Sequence, residues 1–116
     1  MLQSVTRYKA MNLNRVRQLL AQGKVTLRFA DHAVIEARKD GLIVEDLENT
    51  VATGELIEDY GVRALLLSFT EEDRLPCHVV LEYVPGMKEA VIVTAYIPDA
   101  KEWEPDWKRR RRKKRR

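Results

Sequence analysis

The alternation of apolar and polar positions predicts a run of short helices followed by strands. In residues 12–22, Leu13, Val16, Leu19 and Leu20 fall on one stripe of a helix, with Asn12 as its N-cap and Gly23 as its stop. Residues 25–29 switch to a period of two: Val25, Leu27 and Phe29 face one way, and Thr26 and Arg28 the other, as in a short half-buried strand. Asp31 reads as the N-cap of a second helix, residues 32–39, which Gly41 closes and which turns Ala33, Val34 and Ala37 to the core. A third helix, residues 44–52, places Leu47 and Val51 one turn apart, with Glu45 and Asp46 in its first turn where acids suit the helix dipole. Gly54 ends it.

Strand patterns fill the rest. Residues 55–60 lead to a turn at Gly61, and residues 62–69 are nearly continuously apolar, as in a central strand covered on both faces. A charged connection, residues 70–75, precedes two β-branched runs, residues 77–84 and 90–96. Pro85-Gly86 between them has the composition of a type II turn and makes them antiparallel neighbours. Helices followed by a three- to four-strand antiparallel sheet is an α+β order. Trp103 and Trp107 are expected to fold back onto this body after Ile97-Pro98. The expected organisation is an N-terminal helix (residues 1–24), an α+β core (25–107) and a tail (108–116).

Charge adds a feature that the pattern does not carry. The net charge of +3 conceals a tail of nine consecutive cations: Lys108, Arg109, Arg110, Arg111, Arg112, Lys113, Lys114, Arg115 and Arg116. Removing these nine from the 21 basic residues leaves 12 against 18 acidic ones, so residues 1–107 carry −6. Such segregation marks a basic arm directed at a polyanion more than a basic face on the domain. Arginine predominates, which favours forked phosphate contacts and base stacking, so nucleic acid, and RNA before DNA, is the expected partner. The tail has no amphipathic stripe and no lipidation motif, so a membrane partner is not expected. The competing reading is an arm that lies on the acidic body of its own chain.

Composition excludes several classes. The chain is of single-domain length, with 45% apolar residues and no apolar run near the ~20 needed to cross a bilayer. Residues 1–11 hold no apolar signal region, and Cys77 is the single cysteine. A cytoplasmic protein without a disulfide is expected. Two distant histidines and one cysteine predict neither a metal site nor a cofactor.

Several segments taken in order carry a resemblance. They are Asp31-His32-Ala33, Gly41-Leu42, Gly54-Glu55-Leu56-Ile57-Glu58-Asp59-Tyr60, Leu75-Pro76-Cys77-His78-Val79-Val80 and Val93-Thr94-Ala95-Tyr96-Ile97-Pro98, followed by Trp103. Over residues 29–108 the chain resembles the bacterial family known as domain of unknown function 4258. The helix after His32 departs from the family's arginine-rich version: Glu36 and Asp40 stand where arginines often occur, with Arg38 between them. By structural analogy the resemblance implies a RelE-like arrangement of helices on an antiparallel sheet. It further implies a metal-independent ribonuclease toxin that would act with an antitoxin partner.

For that chemistry the candidate residues are His32, His78, Arg38 and Tyr96. Two histidines, or a histidine and a tyrosine, would move protons while an arginine steadies the phosphorane. His32 opens a helix, whose dipole favours the neutral imidazole of a general base. The face that His78 presents depends on hairpin register. If Val84 opposes Glu89, His78 faces Ala95; if Val84 opposes Ala90, it faces Tyr96 and shares a side with Thr94. Each candidate also has a plainer role, as a helix cap, a satisfied strand histidine, a solvated arginine or a packed tyrosine. The reading placed first is an RNA- or ribonucleoprotein-binding domain acting through residues 108–116; the alternative is the ribonuclease.

Overall fold

The computed structural model describes residues 9–112. Its elements in chain order are α1 (Leu13–Ala21), β1 (Thr26–Phe29), α2 (Asp31–Lys39), α3 (Val44–Thr53), β2 (Glu55–Asp59), β3 (Arg63–Phe69), β4 (Pro76–Glu82) and β5 (Glu89–Tyr96). The α+β class and the helix-first order agree with the sequence pattern. The sheet itself is larger, with five strands ordered β1-β5-β4-β3-β2. Four strands form the antiparallel part, and β1 adds a parallel fifth along β5, with Phe29 opposite Ile92. A rule based on short connections sees only hairpins; the β1–β5 pair closes across more than fifty residues.

Local chemistry explains the element boundaries. Asn12 caps α1 through its Oδ1, which accepts the Arg15 N–H at 3.0 Å. Both α1 and α2 end in Schellman motifs: Lys24 N–H to Leu19 O at 2.9 Å after α1, and Leu42 N–H to Ala37 O at 2.9 Å after α2. Asp31 does not cap α2. Ala30 holds the cap position and Asp31 is the first helical residue, where its charge still suits the dipole. In α3 the Asp46 carboxylate reaches back to the Ile43 N–H at 2.9 Å. Pro85-Gly86 forms the expected turn, with Met87 N–H bonded to Val84 O at 3.0 Å and Gly86 at φ +91°.

The helices cover one face of the sheet. Val16 of α1, Ala33 and Ala37 of α2 and Leu47 and Val51 of α3 join Ala64, Leu66, Cys77, Val79, Leu81, Ile92 and Ala95 in one core. Arg17 fastens α1 to the end of α3, donating from Nε to Val51 O at 2.7 Å and from Nη2 to Gly54 O at 2.6 Å. Those carbonyls lie at a helix terminus and lack helical partners, so the guanidinium supplies them. Gly54 is required by space: a Cβ there would sit 2.5 Å from Thr50 O and 3.0 Å from Leu67 O.

Two β-bulges decide what the opposite face presents. In β2 the register shifts between Leu56 and Glu58, so Ile57 is the extra residue and Glu58 comes to oppose Leu65. Glu55 opposes Leu67. Residues three apart on a regular strand point to opposite sides; the bulge puts both glutamates on the same side. In β5 Val93 is the extra residue, and both anticipated registers occur in one hairpin. Leu81 opposes Ile92 near the turn, and beyond the bulge His78 opposes Tyr96 and Val80 opposes Thr94.

Candidate functional site

The face turned away from the helices carries Glu55 and Glu58 of β2, Leu65 and Leu67 of β3, His78 of β4, and Thr94 and Tyr96 of β5. The chain after β5 folds across it. Asp40, the C-cap of α2, steers the start of that segment, its Oδ2 accepting the Ile97 N–H at 2.9 Å. This acid thus has a structural task. Trp103 then plugs the face at 2% exposure, its ring edge-on to the His78 imidazole at 4.5 Å between centroids.

His78 is completely enclosed, with 0% exposure. Its Nε2 lies 2.8 Å from the Trp107 carbonyl. A carbonyl only accepts, so Nε2 carries the proton and the Nδ1 lone pair is left to accept from the Tyr96 hydroxyl at 3.3 Å. Burial pulls the imidazole pKa below its ordinary value; the bond to Trp107 and the charge of Glu58 act in the opposite sense with less effect. Burial likewise raises the Tyr96 phenol. Trp107 reaches this position at φ +61°, a left-handed conformation unusual outside glycine. Trp107 N–H to Glu104 O and Lys108 N–H to Asp106 Oδ1, both 2.9 Å, hold that turn.

The polybasic segment continues this layer. Glu104 N–H donates to Arg109 O and Arg111 N–H to Glu102 O, both at 2.8 Å, so Trp103 and Arg110 pair as a short antiparallel bridge. Arg110 grips Glu58 with two bonds, Nε at 2.9 Å and Nη2 at 3.0 Å, and its guanidinium lies over the Trp103 ring at 4.6 Å. The Tyr60 hydroxyl also donates to Glu58. The bond from Arg110 holds the Glu58 carboxyl below its usual range, and Glu58 in turn raises the Tyr60 phenol and the Arg110 guanidinium. Lys108 pairs with Glu55 at 3.0 Å, Arg109 with Asp106 at 3.0 Å and Arg111 with Glu104 at 3.4 Å. The contacts with the body therefore run on past residue 107 to residue 111. Arg112 is exposed, and Lys113, Lys114, Arg115 and Arg116 lie outside the described residues.

A family model described as Domain of unknown function (DUF4258) matches residues 29–97, more than half of the chain. The chain belongs to this family. No curated protein and no solved structure matches it. The DUF4258 match includes His32, Arg38, Glu58, His78 and Tyr96 and ends before Trp103 and Arg110.

Within this DUF4258 domain the four candidate residues divide into two separate pairs. His78 and Tyr96 meet beneath the C-terminal segment. His32 and Arg38 are exposed on α2, which packs against β5 from the helix side, so the sheet stands between them and the His78 ring. Arg28 and Arg63 form surface pairs with Glu89 and Glu82. Cys77 points the other way from His78, toward Thr50, whose hydroxyl lies 3.4 Å from Sγ. Among the described residues no three His, Cys, Asp or Glu side chains form a metal-ligand set, and no helix is long and apolar enough to cross a membrane. The sequence reading gave no role to Glu58. The available signal was a pair of acids three apart in a strand, which acquires meaning only with the bulge at Ile57.

Proposed function

We propose that this domain binds RNA, free or within a ribonucleoprotein, through residues 108–116. The observation that carries the reading is the charge layout: nine consecutive cations follow a body at −6, so nearly all attraction for phosphate must come from the tail. The state of His78 supports binding over chemistry. Its donor and acceptor are both engaged and the ring has no solvent access, whereas a general base needs a substrate proton within reach.

The test is the affinity of a fluorescein-labelled single-stranded RNA for the full-length chain and for a full-length variant with the nine tail cations replaced by glutamine. The expected result is loss of binding in the variant, at least tenfold at moderate salt. Equal affinity of the two proteins would overturn the proposal.

The ribonuclease reading retains one favourable observation, the juxtaposition of His78, Tyr96, Glu58 and Arg110 on a single face. It requires the segment from Trp103 onward to lift. Incubation of the wild-type chain with RNA in chelator is expected to leave the RNA intact. Cleavage that disappears in His78→Gln would make the enzyme the better reading.

A further inference from the structure

Four carboxylates occupy four of the nine cations. Glu55, Glu58, Glu104 and Asp106 pair one for one with Lys108, Arg110, Arg111 and Arg109. The Arg110–Glu58 contact has the two-bond fork that a guanidinium also makes with phosphate, so the carboxylate and an RNA phosphate compete for the same donors. We infer that residues 108–111 form an autoinhibitory strap, in which Glu55 and Glu58 act as internal phosphate mimics that RNA must displace to engage the whole tail. The inference rests on the RNA-binding reading and adds its regulation.

Release of the strap parts its ion pairs and the backbone bonds of the Trp103–Arg110 bridge. Its ion pairs are largely solvent-exposed, 59% for the Arg110 side chain even where Glu58 is at 18%, and such pairs hold weakly. Trp103 is the opposite case, buried and uncharged. It stays as the anchor while the four residues beyond Trp107 come away. The bulge at Ile57 is what aims Glu58 at this position, so the restraint is built into the sheet.

Two readouts test this with the full-length chain and the same labelled RNA. The first compares Glu58→Gln with Glu89→Gln, which removes an equal charge from the pair between Arg28 of β1 and Glu89 of β5. The expected result is about three- to fivefold tighter binding for Glu58→Gln, as loss of an exposed pair allows, and less than twofold for Glu89→Gln. Glu55→Gln, at a more exposed position, should move affinity in the same direction and keeps the comparison open if Glu58→Gln fails to fold. The second is the slope of log affinity against log salt. Engagement of all nine cations gives about −6, and of the five outside the strap about −3.5. A wild-type slope near −3.5, or equal affinities for Glu58→Gln, Glu55→Gln and Glu89→Gln, would overturn the strap and leave RNA binding standing. Undiminished binding by the glutamine-tailed variant would remove both.

Discussion

Replacing Trp103 by alanine tests whether the C-terminal segment is part of the fold. Trp103 is 2% exposed, touches the His78 ring edge-on and lies beneath the Arg110 guanidinium. Removing a buried indole of this kind costs about 3–5 kcal/mol, from lost transfer energy and the cavity left behind. The contact with Arg110 is part of that cost, at about 0.5–1 kcal/mol. Domains of this size have about 5–15 kcal/mol in total, so the variant should fold with a greatly reduced margin. At about 4 °C per kcal/mol, Tm should fall by about 12–20 °C. Trp107→Ala is the informative comparison. Trp107 is half-buried, and its contribution to the site is a carbonyl that alanine also has. Its cost should stay near about 1 kcal/mol. Urea unfolding followed by far-UV circular dichroism measures both without relying on indole fluorescence. A loss below about 1 kcal/mol for Trp103→Ala, or equal losses for the two variants, would refute the claim that this segment completes the core.

Gly54→Ala should destabilise by about 1–3 kcal/mol, because the new methyl meets two backbone oxygens that cannot move aside cheaply; a shift in urea midpoint measures it. Cys77, buried and with its thiol pushed up to about 11, should resist a thiol-specific reagent at pH 8 in the native protein and react at once in urea. Native reactivity comparable to the unfolded rate would contradict the assigned burial. His78 makes stability fall in acid. Its pKa is lowered in the folded state, so below the ordinary value of 6.5 the unfolded chain takes up a proton that the folded chain refuses. Its contribution is complete above about pH 6.5 and declines as pH falls below that value. Unfolding free energies at pH 7.5 and 5.5 should differ more in the wild type than in His78→Phe.

Much of the fold was legible because it rests on local signals. The stripe of Leu13, Val16, Leu19 and Leu20, the glycines after α1 and α2, and Pro85-Gly86 each specify an element through chemistry within a few residues. What was not legible depends on partners distant in sequence. The pairing of β1 with β5 leaves no mark on either strand. The bulges at Ile57 and Val93 arise where two registers meet, so neither period-two reading of β5 could be right along its whole length. The candidate site failed in the same way. His78 and Tyr96 were readable as neighbours in one register, but no spacing reveals that Trp103 covers them or that Glu58 awaits an arginine fifty residues later. His32 drew attention for its helix position, and the sheet separates it from His78.

The acidity of the body and the basicity of the tail act at different ranges, and screening decides which acids matter. Glu45, Asp46, Glu48, Glu71, Glu72 and Asp73 line a groove of about 630 Å³ between α3 and the β3–β4 connection, on the helix side of the sheet. At physiological ionic strength charges farther apart than about 8 Å are largely screened, so the acids that matter most to the tail are those within that range of it. Glu55, Glu58, Glu104 and Asp106 are in direct contact with it. Those four carboxylates pair with four of the tail's nine cations. Only two of the four pairs, Lys108 with Glu55 and Arg110 with Glu58, reach the sheet, and the bulge at Ile57 is what brings those two glutamates to one side.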